Sequence, residues 1–224
     1  MSGLWLAGAA AAQTVVSASY DEPVTRYDHG VLGDAIEWGT LRLGLTDGRM
    51  IAVRLSKTRV FEDLAPRLVD LGDRVAAMVV ETDVSLGARL ALYGPDGLIA
   101  AGPFIGRRHR WLAPVGAADL DGDGRIEVAY VDRPHLARVL RVLRYVPGQS
   151  ALQPVADASG FANHRIGRDR IAGGLRDCGA GPEMVLPDGD WEHVMAVRLV
   201  QESLTVATLG PYDAGALDRA LRCQ

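Results

Sequence analysis

The sequence predicts an all-β fold, a small β-propeller of four to five four-stranded blades in one domain over residues 13–224. Three observations point there. No long segment sustains a helical period. Short apolar runs alternate with polar residues between Gly, Pro and Asp. The chain also repeats itself at the interval of a propeller blade.

Taken in order, the expected strands are Gly39–Leu45, Met50–Leu55, Val75–Glu81, Arg89–Tyr93, Glu127–Val131, Val139–Tyr145, Glu183–Leu186, Val194–Leu199 and Leu204–Leu209. Their connections carry turn chemistry: Asp47-Gly48, Gly94-Pro95-Asp96-Gly97, Pro147-Gly148 and Pro187-Asp188-Gly189. Ala214–Arg222 reads as a short terminal helix, and Phe61–Leu64 as a single helical turn.

The repeats are of three kinds. His29-x-Val31-x-x-Asp34-x-Ile36-x-x-Gly39 matches His164-x-Ile166-x-x-Asp169-x-Ile171-x-x-Gly174 without a gap. Leu-Ala-Pro followed by Asp-Leu occurs at Leu64–Leu71 and at Leu112–Leu120. A strand read as closing each repeat recurs at Ile51–Leu55, Leu90–Tyr93, Leu140–Leu143 and Met195–Leu199, at intervals of roughly 40–55 residues. An isolated four-stranded sheet leaves one face wet, whereas stacked blades bury both. The repeat period favours the propeller over a β-sandwich, whose strands and turns look alike.

Composition sets outer bounds. The 224 residues are 48% hydrophobic, ample for a core, and the net charge of −4 gives no footprint for nucleic acid. The apolar run Gly3–Ala12 ends in Ala10-Ala11-Ala12, so residues 1–12 read as the remnant of an export signal, although no Lys or Arg precedes them. The run is too short to span a bilayer, which takes about 20 apolar residues. In an exported chain the two cysteines, Cys178 and Cys223, pair as a disulfide; in a reducing compartment they would be free thiols. A periplasmic or secreted monomer follows.

Asp119-Leu-Asp121-Gly-Asp123-Gly-Arg125-Ile-Glu127 places carboxylates at positions 1, 3, 5 and 9 of nine residues, with two glycines for tight turning. So much negative charge in so short a loop suits a hard divalent cation with six to eight oxygen ligands. With the strand Val128–Val131 that follows, the segment resembles the loop of FG-GAP or VCBS-type repeats, which build calcium-binding propellers. The resemblance implies one Ca2+ held by the side chains of Asp119, Asp121 and Asp123, the carbonyl of Arg125 and the carboxylate of Glu127, in a loop joining two neighbouring strands. That family more often carries Asp where Glu127 stands. An EF-hand would need flanking helices and an acid at position 12, which is Tyr130. Asp70-Leu-Gly-Asp73 and Asp177-Cys-Gly-Ala-Gly-Pro-Glu183 keep only fragments of the pattern, so one calcium site is expected.

No nucleophile elbow, zinc-protease helix, Walker loop or dinucleotide signature occurs. His29 and His164, at matching repeat positions, read as structural, and His193 as exposed. Trp38, Trp111 and Trp191 read as packing between blades, and Asp188, Asp190 and Glu192 around Trp191 as a turn. The leading function is a non-enzymatic, calcium-stabilised binding or scaffold module of the cell envelope with a protein or glycan ligand. A carbohydrate-active hydrolase or lyase, and a purely structural interaction domain, stay open beside it.

Overall fold

A computed structural model describes residues 13–224; the segment read as an export signal lies outside them. The strands are β1 (Val15–Val24), β2 (Glu37–Leu45), β3 (Met50–Arg54), β4 (Arg59–Phe61), β5 (Arg67–Asp70), β6 (Val75–Asp83), β7 (Gly87–Gly94), β8 (Gly97–Ala101), β9 (Leu112–Ala118), β10 (Glu127–Asp132), β11 (Val139–Arg144), β12 (Gln153–Ser159), β13 (Gly174–Asp177), β14 (Pro182–Pro187), β15 (His193–Val200) and β16 (Ser203–Pro211), followed by helix α1 (Ala214–Leu221). The fold is all-β, in three antiparallel sheets, none closed on itself. All nine expected strands and the terminal helix are present. The helical turn expected at Phe61–Leu64 is not: Phe61 ends β4, and the Glu62 amide donates to the Val80 carbonyl, extending the pairing toward β6.

The first sheet has eight strands in the order β1-β2-β4-β6-β7-β8, with β3 also on β2 and β5 also on β6. The second and third are plain four-stranded meanders, β9 to β12 and β13 to β16. Within the first sheet β5 to β8 form a third such meander, and short β4 joins it to β1–β3 through Trp38↔Phe61 and Phe61↔Glu81.

The recurring segments read as closing strands fall on β3, β7, β11 and β15, one every fourth strand. They do not close their units, because β8, β12 and β16 each add a further strand outside them. The ungapped match of His29–Gly39 to His164–Gly174 has a different phase: Gly39 lies within the second strand, whereas Gly174 opens the first strand of a meander. Those two histidines are therefore not topologically equivalent. Their segments do meet in space, where the Gly167 amide donates to the Val31 carbonyl.

Side chains on a strand alternate between its faces, and here both faces of the central strands are buried. Along β6, Ala76, Met78 and Val80 face the core shared with the second sheet, while Ala77 and Val79 face the core beneath β1–β3. Along β10, Val128 and Tyr130 join the first of these cores, and Ala129 and Val131 the core shared with the third sheet. Unbroken apolar runs such as Val75–Val80 follow from this two-sided burial. Gly116 is required where β9 approaches the third sheet, because a Cβ there would stand 2.7 Å from the Leu175 side chain.

Helix α1 starts on Asp213, whose carboxylate accepts from the Ala216 amide, and it buries Leu217 and Ala220 in a small fourth core. Cys178 and Cys223 are bonded, tying the residue just beyond the helix to the β13–β14 loop.

Candidate functional site

The acidic loop joins β9 to β10, two neighbouring antiparallel strands, with no helix on either side. Gly122 and Gly124 adopt left-handed backbone, φ 78° and 85°, which an L side chain would resist. Asp119 organises the turn: its carboxylate accepts from the amides of Gly122, Asp123 and Gly124. Oxygens of Asp119, Asp121 and Glu127 lie within 4.8 Å of one another, a set that could hold a metal ion. Asp123, placed in the ligand set by sequence, instead turns to the Arg125 guanidinium, which holds its carboxyl down at about 2. Asp70 and Asp177, in the two loops that keep fragments of this pattern, also accept from backbone amides, Asp70 from Gly72 and Asp177 from Gly179 and Gly181.

One participant was not legible in the sequence. Arg144, nearly buried at the end of β11, lies directly across from Glu127 in the ladder. Its Nε donates to Glu127 Oε1 at 2.6 Å and its Nη2 to Asp121 Oδ2 at 3.0 Å. Its Nη1 reaches Glu202 of the third sheet at 3.0 Å. Burial raises the Glu127 carboxyl, opposed by Arg144 and by the Leu120 amide that donates to Oε2. The same device recurs in the third sheet, where Glu183 lies between Arg176 and Arg198 at 2.6 and 2.9 Å.

A second constellation lies at the other end of the sheets. A chain that runs up β9 and down β10 puts the acidic loop at one end, and the β8–β9, β10–β11 and β12–β13 connections at the opposite one. Four of the five histidines gather there. His29, from the β1–β2 connection, stacks on His109 at 5.1 Å between centroids. His135 Nε2 is 3.1 Å from His164 Nδ1, and the His164 ring sits edge-on to Trp111. His109 and Arg133 hold left-handed backbone, φ 54° and 47°; strain of this kind collects at functional sites.

Behind the histidines stand buried acids. Glu62 Oε1 is 2.6 Å from His29 Nδ1, and Glu62 Oε2 accepts from the Thr82 hydroxyl at 2.6 Å. Burial drives Glu62 well above the usual carboxylate range and lowers His29. Glu37, also buried, rises to about 9; burial is the main cause, and every neighbour acting on its charge is another acid, Glu62, Asp34 or Asp63. His135 falls to about 4, through burial first and the nearby imidazole of His164 second.

Trp111 is buried between the first two sheets and donates to the Glu62 carbonyl, and Trp38 stacks on Tyr20. Trp191 packs on Tyr212. Asp188 caps its own turn, accepting from the amides of Glu192 and His193 and meeting the exposed His193 ring. Among the described residues no helix is long and apolar enough to cross a membrane. No protein-family model matches the chain, and no curated protein matches it.

Proposed function

We propose that this chain is an exported, non-enzymatic binding module, a β-propeller of four blades of the FG-GAP or VCBS kind, stapled by one calcium ion. In support, the strands β1–β3 share a core with the meander β5–β8, that meander with β9–β12, and β9–β12 with β13–β16, a series of four units of the size of blades. The disulfide fits an oxidising compartment, periplasmic or extracellular.

The observation that carries the reading is the separation of the two constellations. The acidic loop braces one end of the central sheet, and the histidine-lined cleft opens at the other, so the ion is a structural element and the cleft is the ligand surface. An all-oxygen donor set suits calcium. Four carboxylates lie in the loop, and the guanidinium groups of Arg125 and Arg144, the latter shared with Glu202, offset only part of that charge, leaving a surplus for a divalent ion. When bound, calcium would be held by Asp119, Asp121 and Glu127, and would complete the charge balance that Arg144 begins.

Calcium titrated into EDTA-treated protein tests this. An ion that binds only the folded state stabilises it by about 2.7 kcal/mol at a hundredfold excess over its dissociation constant. The melting temperature is therefore expected to climb with calcium, and the double variant D121A/D123A to lose that rise. A native melting temperature indifferent to calcium overturns the staple.

A second reading, a hydrolase or lyase acting on carbohydrate, is favoured by the His29–Glu62–Thr82 chain, which resembles an acid–base relay. Against it, the acids lie behind the histidines, and among the described residues no carboxylate lines the cleft.

A further inference from the structure

The histidine-lined cleft has a volume of about 420 Å³, enough for a small organic molecule. His29, His109, Arg110, Trp111, His135 and Leu136 are among its walls.

His164 Nε2 lies 2.7 Å from the Arg168 carbonyl, which only accepts, so that nitrogen carries the proton. Neutral His164 then presents a lone pair at Nδ1, and His135 Nε2, 3.1 Å away, must donate to it. On the opposite wall, His29 Nδ1 and Glu62 Oε1 share one proton across 2.6 Å. Burial keeps the proton on Glu62, which donates it to His29 Nδ1, so the neutral ring carries its own proton on Nε2 and that nitrogen is a donor; an ionised Glu62 facing Nδ1–H would instead make Nε2 an acceptor.

Charge sharpens the picture. Arg133 meets Asp132 at 2.8 and 2.9 Å and shares it with Arg141 at 3.0 Å, and the wall residue His109 meets Asp28 at 2.8 Å, a carboxylate it shares with Arg108. Arg110 is different: one Nη1 bond goes to the His109 carbonyl at 2.8 Å, and among the described residues no carboxylate pairs with it. It stands close enough to His29 to depress that ring's basicity. The cleft therefore holds an uncompensated guanidinium beside a neutral N–H donor. Its rim is apolar and open to solvent: Leu136 is 64% exposed and Ile166 70% exposed.

We propose that the cleft binds a small organic carboxylate, its anionic end on Arg110 and His29 Nε2–H and its apolar body between Leu136 and Ile166. This rests on reading the chain as a binding module and names the ligand class of that module. Arginine offers a carboxylate two parallel N–H bonds, and the exposed leucine and isoleucine give the body a surface on which to shed water.

Calorimetric titration of the full chain with benzoate tests the assignment, with benzyl alcohol as the neutral analogue and glucuronate as a carboxylate on a hydroxylated body. Benzoate is expected to bind and benzyl alcohol not to. A charge-assisted hydrogen bond contributes about 1.5–3 kcal/mol, so R110A should weaken benzoate by about tenfold or more, while R107A, at an exposed arginine, leaves it unchanged. L136S removes only an exposed side chain and keeps the test open if R110A fails to fold; it should weaken benzoate and spare glucuronate. Equal binding of benzyl alcohol, or unchanged affinity in both R110A and L136S, overturns the proposal. Glucuronate bound more tightly than benzoate overturns the apolar half and points to an acidic glycan. The calcium-dependent rise in melting temperature is read on the same samples: if it persists without benzoate binding, this inference alone fails.

Discussion

Glu37 stands on β2 with its carboxyl buried among other acids and, among the described residues, no cation acting on it. The folded protein keeps its proton up to about pH 9, whereas the unfolded chain releases it near 4.5. Between those values the folded state binds more protons, so stability falls as pH rises through that window. At pH 7 the gap of about 2.5 pH units corresponds to about 3 kcal/mol, at 1.36 kcal/mol for each. E37Q keeps the shape without the ionisable group. It is expected to be more stable than the native protein by up to that amount at pH 7, with the advantage vanishing near pH 4, as urea unfolding at the two pH values would report. No gain at pH 7 would mean that the carboxyl finds a partner. The neighbouring histidines have the opposite sense. Burial holds His29, His135 and His164 below their ordinary value, so acidification through about pH 6 costs stability.

Among the elements, the helix and the disulfide act together at the C-terminus. Arg176 donates to the Ala220 carbonyl near the helix end, and Cys223 is bonded to Cys178 across 45 positions. Closing a loop of that length restricts the unfolded chain by about 4 kcal/mol in the chain-entropy account. C178S/C223S is expected to lower the free energy of unfolding by about 2–4 kcal/mol, measured in urea under non-reducing conditions. A change below 0.5 kcal/mol would show that the core under α1 holds that end alone. The elements also show where the sequence could be read. Strands buried on both faces, such as β6 and β10, announce themselves as continuous apolar runs. Strand β9 hides, because Leu112–Ala118 contains Pro114 and Gly116. Its ladder shifts register between these two residues, which is where proline is tolerated in a sheet. Edge strands β1 and β12 are polar and carry Pro23 and Pro154, so they too lack the pattern. The carboxylates of the acidic loop fall within nine residues and are therefore legible, whereas Arg144 and the histidine cleft are not. His29, His109, His135 and His164 sit on four separate connections, and only the packing of the sheets brings them together.

At the scale of the whole molecule, the sheets are arranged as a series in which each shares its apolar faces with its neighbours. The central sheet is the clearest case, since β10 contributes alternate residues to two different cores. It has no core of its own and cannot be solid before both neighbours are in place. The outermost strand β16 is the reverse, with Val206 and Leu209 left 47% and 43% exposed. In the language of amide hydrogen exchange, this makes the molecule a graded set of cooperative units. The amides of Val128–Val131 are expected to exchange only through global unfolding, so their protection should match the stability measured in denaturant. Those of Ser203–Leu209 should exchange through local opening, with little sensitivity to urea. Equal protection in β10 and β16 would mean that the sheets melt as one body. With the gradient, the protein has a slow-exchanging axis and a labile flank, and a protease or a strand-pairing partner would meet β16 first.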